Sequence, residues 1–310
     1  MKVYLNQGFG FKFTEDDIKV LKGRFPNIEF TDKLEDGLDA DIAIGSLFFF
    51  TLDNVEKFKK LKLIQTLSAG YDVIDLTYLK KNGIRLTNLR GAYSVAIAED
   101  VVSKILYFNK NVYRYVKNME EHLWKREITI HDIYEKNVLI LGAGSIGNEI
   151  AKRLKAFDAH IFAYDPYVKS DPLFDGILQN KGDLIGILTK MDYVILSLPL
   201  NDSTKDFFNQ KLFDAMKKDA LFVNISRGPI VDQEALYETL KERKIRGAAI
   251  DVVEKEPLDK NDKLWDLDNI YITPHVAFNG EYIRKKIFEI VEENIDALNR
   301  DGDLTNQIKF

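Results

Sequence analysis

Residues 138–147 read VLILGAGSIG, and few stretches restrict a fold so tightly. A continuous apolar run of this kind suits a strand covered on both faces. Gly142, Gly144 and Gly147 follow it in G-x-G-x-x-G register. The first glycine permits a tight turn and the second lets the backbone approach a pyrophosphate; the third lets the next helix pack closely on the strand. That helix is read over Asn148–Phe157, with Ile150, Ala151, Leu154 and Phe157 in one stripe. Its free N–H groups and positive dipole end suit phosphates. Such a unit predicts a parallel sheet with a dinucleotide at its edge.

The rest of the chain keeps the same rhythm. Strands are expected at Val3–Leu5, Ile42–Gly45, Leu63–Leu67, Ile84–Thr87, Ile161–Tyr164, Tyr193–Ser197, Leu221–Ile225, Ala248–Asp251 and Tyr271–Thr273, with helix-length stretches between them. Alternation of this type defines an α/β protein with helices on both faces of parallel sheets. The length of 310 residues suggests two domains. One stretch departs from the rhythm. From Ser94 to about Asn118, Val95, Ala98, Val102, Ile105, Leu106 and Val112 recur at helical spacing with no strand between them. A single long helix there would join one α/β unit to the next.

Composition narrows the chemistry. There are no cysteines, which excludes disulfides, thiolate metal sites and cysteine nucleophiles. A net charge of −5 gives no electrostatic footprint for a nucleic-acid partner. The apolar run Leu47–Leu52 is far too short to span a membrane. The start MKVYLNQGFG has no secretory h-region, so a soluble cytoplasmic protein is expected. No metal site is expected, because His122 and His131 lack ligand spacing.

The candidate chemistry falls at strand ends. Asp165 closes the strand 161–164, 18 residues past Gly147. A carboxylate there can accept from the ribose hydroxyls and repel a 2′-phosphate, favouring NAD over NADP. Only four histidines are present, and His275 alone follows the carboxyl end of a strand, in the run TPHVA. Arg227 in NISRGPIVD, and Asp251 and Glu256 in AAIDVVEKEPL, also follow strands. Ligands of open α/β sheets bind outside such ends.

Taken in order from LSAGYDVID (67–75) to TPHVA (273–277), these segments resemble the D-isomer-specific 2-hydroxyacid dehydrogenases. The resemblance implies a Rossmann-type, doubly wound cofactor domain (residues 92–279) inserted into a flavodoxin-like substrate domain (residues 1–91 plus 280–310), with a cleft between them. It implies NAD as cofactor, a small 2-keto or 2-hydroxy acid as substrate, and a homodimer formed through the cofactor domains. It makes Arg227 the clamp on the substrate carboxylate, His275 the acid–base and Glu256 its partner. Ser145, Ile146, Asp165, Pro199, Thr204, Ile225, Ser226 and Asp251 fall on cofactor-binding positions, the last reaching the carboxamide. Ala69 and Gly70 match the backbone that meets the substrate carboxylate, with Tyr71 beside them.

This sequence departs from the family pattern at Leu89–Arg90 before Gly91, at Asp100 where His is common, and at VAFNG after His275. The implied reaction adds hydride to a carbonyl carbon while His275 protonates the oxygen. An aromatic run, Phe48–Phe50, with Tyr71 and Phe278, either lines an apolar side-chain pocket or fills the domain core or hinge. That pocket would favour apolar 2-keto acids over glyoxylate and disfavour formate. The few residues after the helix 283–298 disfavour a phosphoglycerate dehydrogenase with a regulatory domain. The alternative is a nucleotide-sensing corepressor on the same fold that retains the Arg–Glu–His set without turnover.

Overall fold

The computed structural model describes residues 1–8, 11–71 and 73–310. Two units emerge, one formed by Met1–Tyr93 with Gly280–Phe310 and the other by Ser94–Asn279.

In the first unit the strands are β1 (Lys2–Leu5), β2 (Glu29–Thr31), β3 (Ile42–Gly45), β4 (Leu63–Thr66) and β5 (Arg85–Thr87). They pair in parallel in the order β2-β1-β3-β4-β5, the flavodoxin-like arrangement. Both faces are buried, and alternate residues choose between them. Val3, Leu5, Ile42, Ile44 and Leu63 face a cluster completed by Ile287, Val291 and Ile295 of the helix Ile283–Asn299. Tyr4, Ala43, Ile64 and Leu86 face the other cluster. The chain's last helix therefore returns to complete its first sheet. A buried polar staple holds it: Asn294 Nδ2 donates to Gln65 Oε1 at 2.6 Å, and the same oxygen accepts from Thr87 Oγ1 at 2.8 Å.

The second unit holds β6 (Asn137–Leu141), β7 (His160–Tyr164), β8 (Gly176–Leu178), β9 (Tyr193–Leu196), β10 (Leu221–Asn224), β11 (Gly247–Ile250) and β12 (Ile270–Ile272). Their order is β12-β11-β10-β9-β6-β7-β8, all parallel. Counted from β6, this is the doubly wound Rossmann order 3-2-1-4-5-6 with one strand added at its end.

The long helix expected from Ser94 to about Asn118 is two helices. Ser94–Asn109 ends before Asn111, whose φ of 51° is left-handed, and Val112–Glu120 begins afresh. Asparagine tolerates that conformation better than most residues, so the apolar spacing continues although the backbone turns. β2 and β8 lie outside the expected strands. Both are three-residue edge strands, and each is too short for a clear alternation. Phe157, placed in the stripe of the glycine-loop helix, lies beyond that helix's end at Lys155 and is 39% exposed.

Candidate functional site

Register builds the site. Tyr164, Leu141, Leu196, Asn224, Ile250 and Ile272 are mutual partners along one line across the second sheet. The residues that follow them are Asp165, Gly142, Ser197, Ile225, Asp251 and Thr273, so motif residues scattered over more than a hundred positions share one edge. Gly142 and Asp251 are three strand spacings apart, about 14 Å. The strand order reverses at β6 and β9, where a crevice forms in this fold.

The glycines have three different surroundings. Gly142 has φ 107°, and a Cβ there would lie 2.8 Å from the Ser197 carbonyl oxygen. A Cβ on Gly147 would lie 2.1 Å from the Gly142 carbonyl oxygen, so the helix Ser145–Lys155 can approach only without one. A Cβ on Gly144 would meet nothing within 4 Å. That open side, at the first turn of a helix whose N–H groups lack intrahelical acceptors, fits a pyrophosphate. Asp165 braces the loop: its carboxylate accepts from the Ala143 N–H at 3.0 Å and from the N–H groups of Tyr167 and Val168 at 2.9 and 3.2 Å.

Thr204 is buried and its hydroxyl donates to the Pro199 carbonyl at 2.7 Å, closing the loop after β9. Ile225 and Ser226 are also buried, and the Ser226 hydroxyl donates to Asn224 Oδ1 at 2.6 Å. Arg227 follows with Nη1 on the Ser226 carbonyl at 2.8 Å. Among the described residues its guanidinium meets no carboxylate, which leaves the rest of its fork for an anion.

His275 Nδ1 lies 2.8 Å from Glu256 Oε2, with both side chains more than a third exposed. Nδ1–H donating to the carboxylate fixes the ring and leaves Nε2 free for chemistry. His275 has φ 52°, and Asp251 explains how that turn is held. Its carboxylate, 3% exposed, accepts from Thr273 Oγ1 at 2.6 Å and from the N–H groups of Val276 and Ala277, each at 2.9 Å. The His275 N–H donates to the Asp251 carbonyl at 2.8 Å.

Three contributors escaped sequence reasoning. Thr273 is one of the donors just described. Gly228 is another: a Cβ there would lie 1.8 Å from the Val253 carbonyl oxygen, so the Arg227 loop lies directly on the loop leading to Glu256. Its position beside Arg227 was the available signal. The third is Lys104, fully buried in the helix Ser94–Asn109. It pairs with Asp100 and lies 5.8 Å from the centre of the Tyr271 ring. Burial pushes the Asp100 carboxyl above its ordinary range; Lys104 pulls it back and Asp251 adds to the rise. The departure at Asp100 is therefore matched by a cation one helical turn away.

Ala69, Gly70 and Tyr71 belong to the first unit, in the loop after β4. The Ala69 carbonyl accepts from Asn88 at 2.6 Å and the Gly70 carbonyl from the Ser68 hydroxyl at 2.7 Å. The N–H groups of Ala69 and Gly70 donate to no described residue. For Phe49, Phe50 and Tyr71 the core reading of the aromatic run holds. Phe50 is 1% exposed in the core of the first unit, and Phe49 and Tyr71 pack against that core. Phe48 is exposed, and the Phe278 ring stands edge-on 6.0 Å from His275.

Among the described residues no group of three or more His, Asp or Glu is placed to hold a metal ion, and no helix is long and apolar enough to cross a membrane.

A doubly wound sheet with this glycine loop defines a dinucleotide-binding α/β protein. The family described as "D-isomer specific 2-hydroxyacid dehydrogenase, NAD binding domain" matches residues 102–277. A D-3-phosphoglycerate dehydrogenase of Methanocaldococcus jannaschii is 33% identical over 302 residues, covering 95% of this chain and 57% of that protein. A glyoxylate reductase of Thermofilum pendens is 35% identical over 245 residues, covering 77% and 72%. Among solved structures, an acyclic imino acid reductase in complex with NADPH and D-Arg superposes with a TM-score of 0.85 at 25% identity, each chain fully covered. The chain belongs to the D-isomer-specific 2-hydroxyacid dehydrogenase family. It spans a little over half the length of the phosphoglycerate dehydrogenase it matches.

Proposed function

We propose that this protein interconverts a small 2-keto acid and its D-2-hydroxy acid with NAD, and that His275 is the acid–base. The observation that carries the reading is the 2.8 Å His275–Glu256 pair, held by Asp251 on the same sheet edge as the glycine loop. Gly144, Ser145 and Ile146 would receive the pyrophosphate, and Asp165 the adenine-side ribose. Pro199, Thr204, Ile225 and Ser226 would line the cofactor, and Asp251 would reach the carboxamide. When bound, the nicotinamide supplies the hydride to the carbonyl carbon.

The chain's own residues do the rest. Arg227 would clamp the substrate carboxylate through its planar fork. Protonated His275 donates from Nε2 to the carbonyl oxygen as the C=O π pair moves onto it, ending as neutral imidazole. Glu256 stabilises the imidazolium and keeps the ring aimed. General-acid help of this kind is worth about 10²–10⁴-fold. NAD is proposed over NADP because the Asp165 carboxylate would repel a 2′-phosphate.

A homodimer is part of the same proposal. The apolar side chains of Val112, Val116, Met119, Leu123, Trp124 and Ile128 are all exposed, Trp124 completely, and a patch of this kind supports an interface.

The test is a spectrophotometric screen of NADH and NADPH oxidation across 2-keto acids, glyoxylate and pyruvate included, with sedimentation to measure mass. His275→Gln should lower kcat by about 10²-fold or more, and Arg227→Lys should raise KM and lower kcat together. Absence of turnover with every acid would favour the corepressor alternative, and near-normal kcat/KM in Arg227→Lys would reject the clamp.

A further inference from the structure

The opposite end of the second sheet carries a feature that the proposed reaction does not use. A cavity of about 670 Å³ opens there, lined by Arg114, Lys117, His131, Arg243, Arg246 and Asp268 among others. Arg246 immediately precedes β11, whereas Asp251 follows it. Five residue steps along the strand separate them by about 16 Å, so this cavity lies apart from the glycine-loop edge.

Its charge is unbalanced. Arg243 is neutralised by Asp268 through two bonds of 2.8 and 2.9 Å, and Arg114 by Glu127 at 2.8 Å. Lys117 and Arg246 pair with no carboxylate among the described residues. Arg246 donates from Nη1 to Asn109 Oδ1 at 3.0 Å, but its Nε is buried with no acceptor. A buried guanidinium N–H without a partner costs free energy, and an anion would supply what is missing. Burial first, and after it the Arg246 charge, lower the pKa of the His131 imidazole, with Asp219 and Asp132 acting in the opposite direction. All this occurs in a chain whose net charge is −5.

The helix Val112–Glu120 separates this function from the apolar patch. At about 100° per residue, Val112, Val116 and Met119 share one face, while Tyr113, Arg114 and Lys117 share the opposite one and line the cavity.

We propose that this cavity binds a small, multiply charged oxyanion through Arg246, Lys117 and His131. Guanidinium and ammonium groups on facing elements suit phosphate or polycarboxylate oxygens. The volume falls in the range of small-ligand sites, so there is room for more than a bare phosphate. The ligand is a phosphate ester or a polycarboxylate.

Calorimetric titration of the full chain with pyrophosphate and, separately, citrate tests this. NADH is present in excess so that the glycine loop does not compete. Lys117→Glu and Arg246→Gln should each weaken binding about tenfold, whereas Lys22→Glu, exposed on a helix of the first unit, should not. Preference for one probe identifies the phosphate or the carboxylate class. Lys117→Glu stands alone as the decisive variant if Arg246→Gln fails to fold, because Lys117 is exposed. No binding of either anion at millimolar concentration, or binding indifferent to Lys117→Glu, overturns the proposal.

Discussion

Replacing Asp251 with Asn tests how far the His275 turn depends on one buried carboxylate. Oδ1 accepts from Thr273 Oγ1 and the Val276 N–H, and Oδ2 from the Ala277 N–H, at 2.6, 2.9 and 2.9 Å. Asparagine keeps the shape, but its NH₂ group cannot accept. The less costly orientation holds the oxygen toward Thr273 and Val276 and sets the NH₂ against the Ala277 N–H. One buried donor is then unmet, costing about 1–3 kcal/mol, and two charge-assisted bonds become neutral, losing about 0.5–1 kcal/mol each. The sum is about 2–5 kcal/mol, or roughly 5–15 °C in Tm for a domain of this size. His275, whose turn is held in part by this carboxylate, loses its aim; a rise of about 3 kcal/mol in the barrier corresponds to about a hundredfold in kcat. The assay is steady-state keto-acid reduction with NADH, combined with thermal denaturation and NADH binding by fluorescence. Unchanged kcat and Tm with weakened NADH binding would refute the anchoring argument and leave Asp251 only a cofactor role.

Gly228→Ala should force the Arg227 loop off the Val253 carbonyl, because the added Cβ would lie 1.8 Å from that oxygen; about 1–3 kcal/mol of overpacking should appear as a lower Tm and kcat/KM, and a wild-type kcat/KM would show that the two loops need not touch. Lys104→Met strips the partner from Asp100, whose carboxyl burial already raises. The folded state then holds that proton more tightly than the unfolded chain, so stability from this group falls as pH rises through the carboxylate range. Denaturant titrations should show a deficit of about 3 kcal/mol at neutral pH that shrinks on acidification; a deficit independent of pH would assign the loss to packing. Asn294→Ala leaves the Thr305 N–H without the acceptor it meets at 2.7 Å and removes one of the two donors to Gln65 Oε1, leaving Thr87 as the other. It should cost about 2–3 kcal/mol in urea unfolding, and a cost near zero would show that the staple is not needed.

The residues by themselves determined the elements whose cause is local. Covered strands show as apolar runs, and the glycine loop shows because only glycine fits at Gly142 and Gly147. Residues placed just after strands, such as Asp165, Arg227, Asp251 and His275, become neighbours once parallel pairing aligns the strand ends. Tertiary structure decided what depends on partners far away in the chain. The backbone turns at Asn111 although apolar spacing runs through it, because spacing constrains which face is buried and not whether the helix is continuous. Phe50 fills a core instead of a pocket, since hydrophobicity drives burial without naming the neighbour. The buried Lys104 and the three donors on Asp251 were equally invisible, because a charge or carboxylate reads as surface until its partners are brought to it.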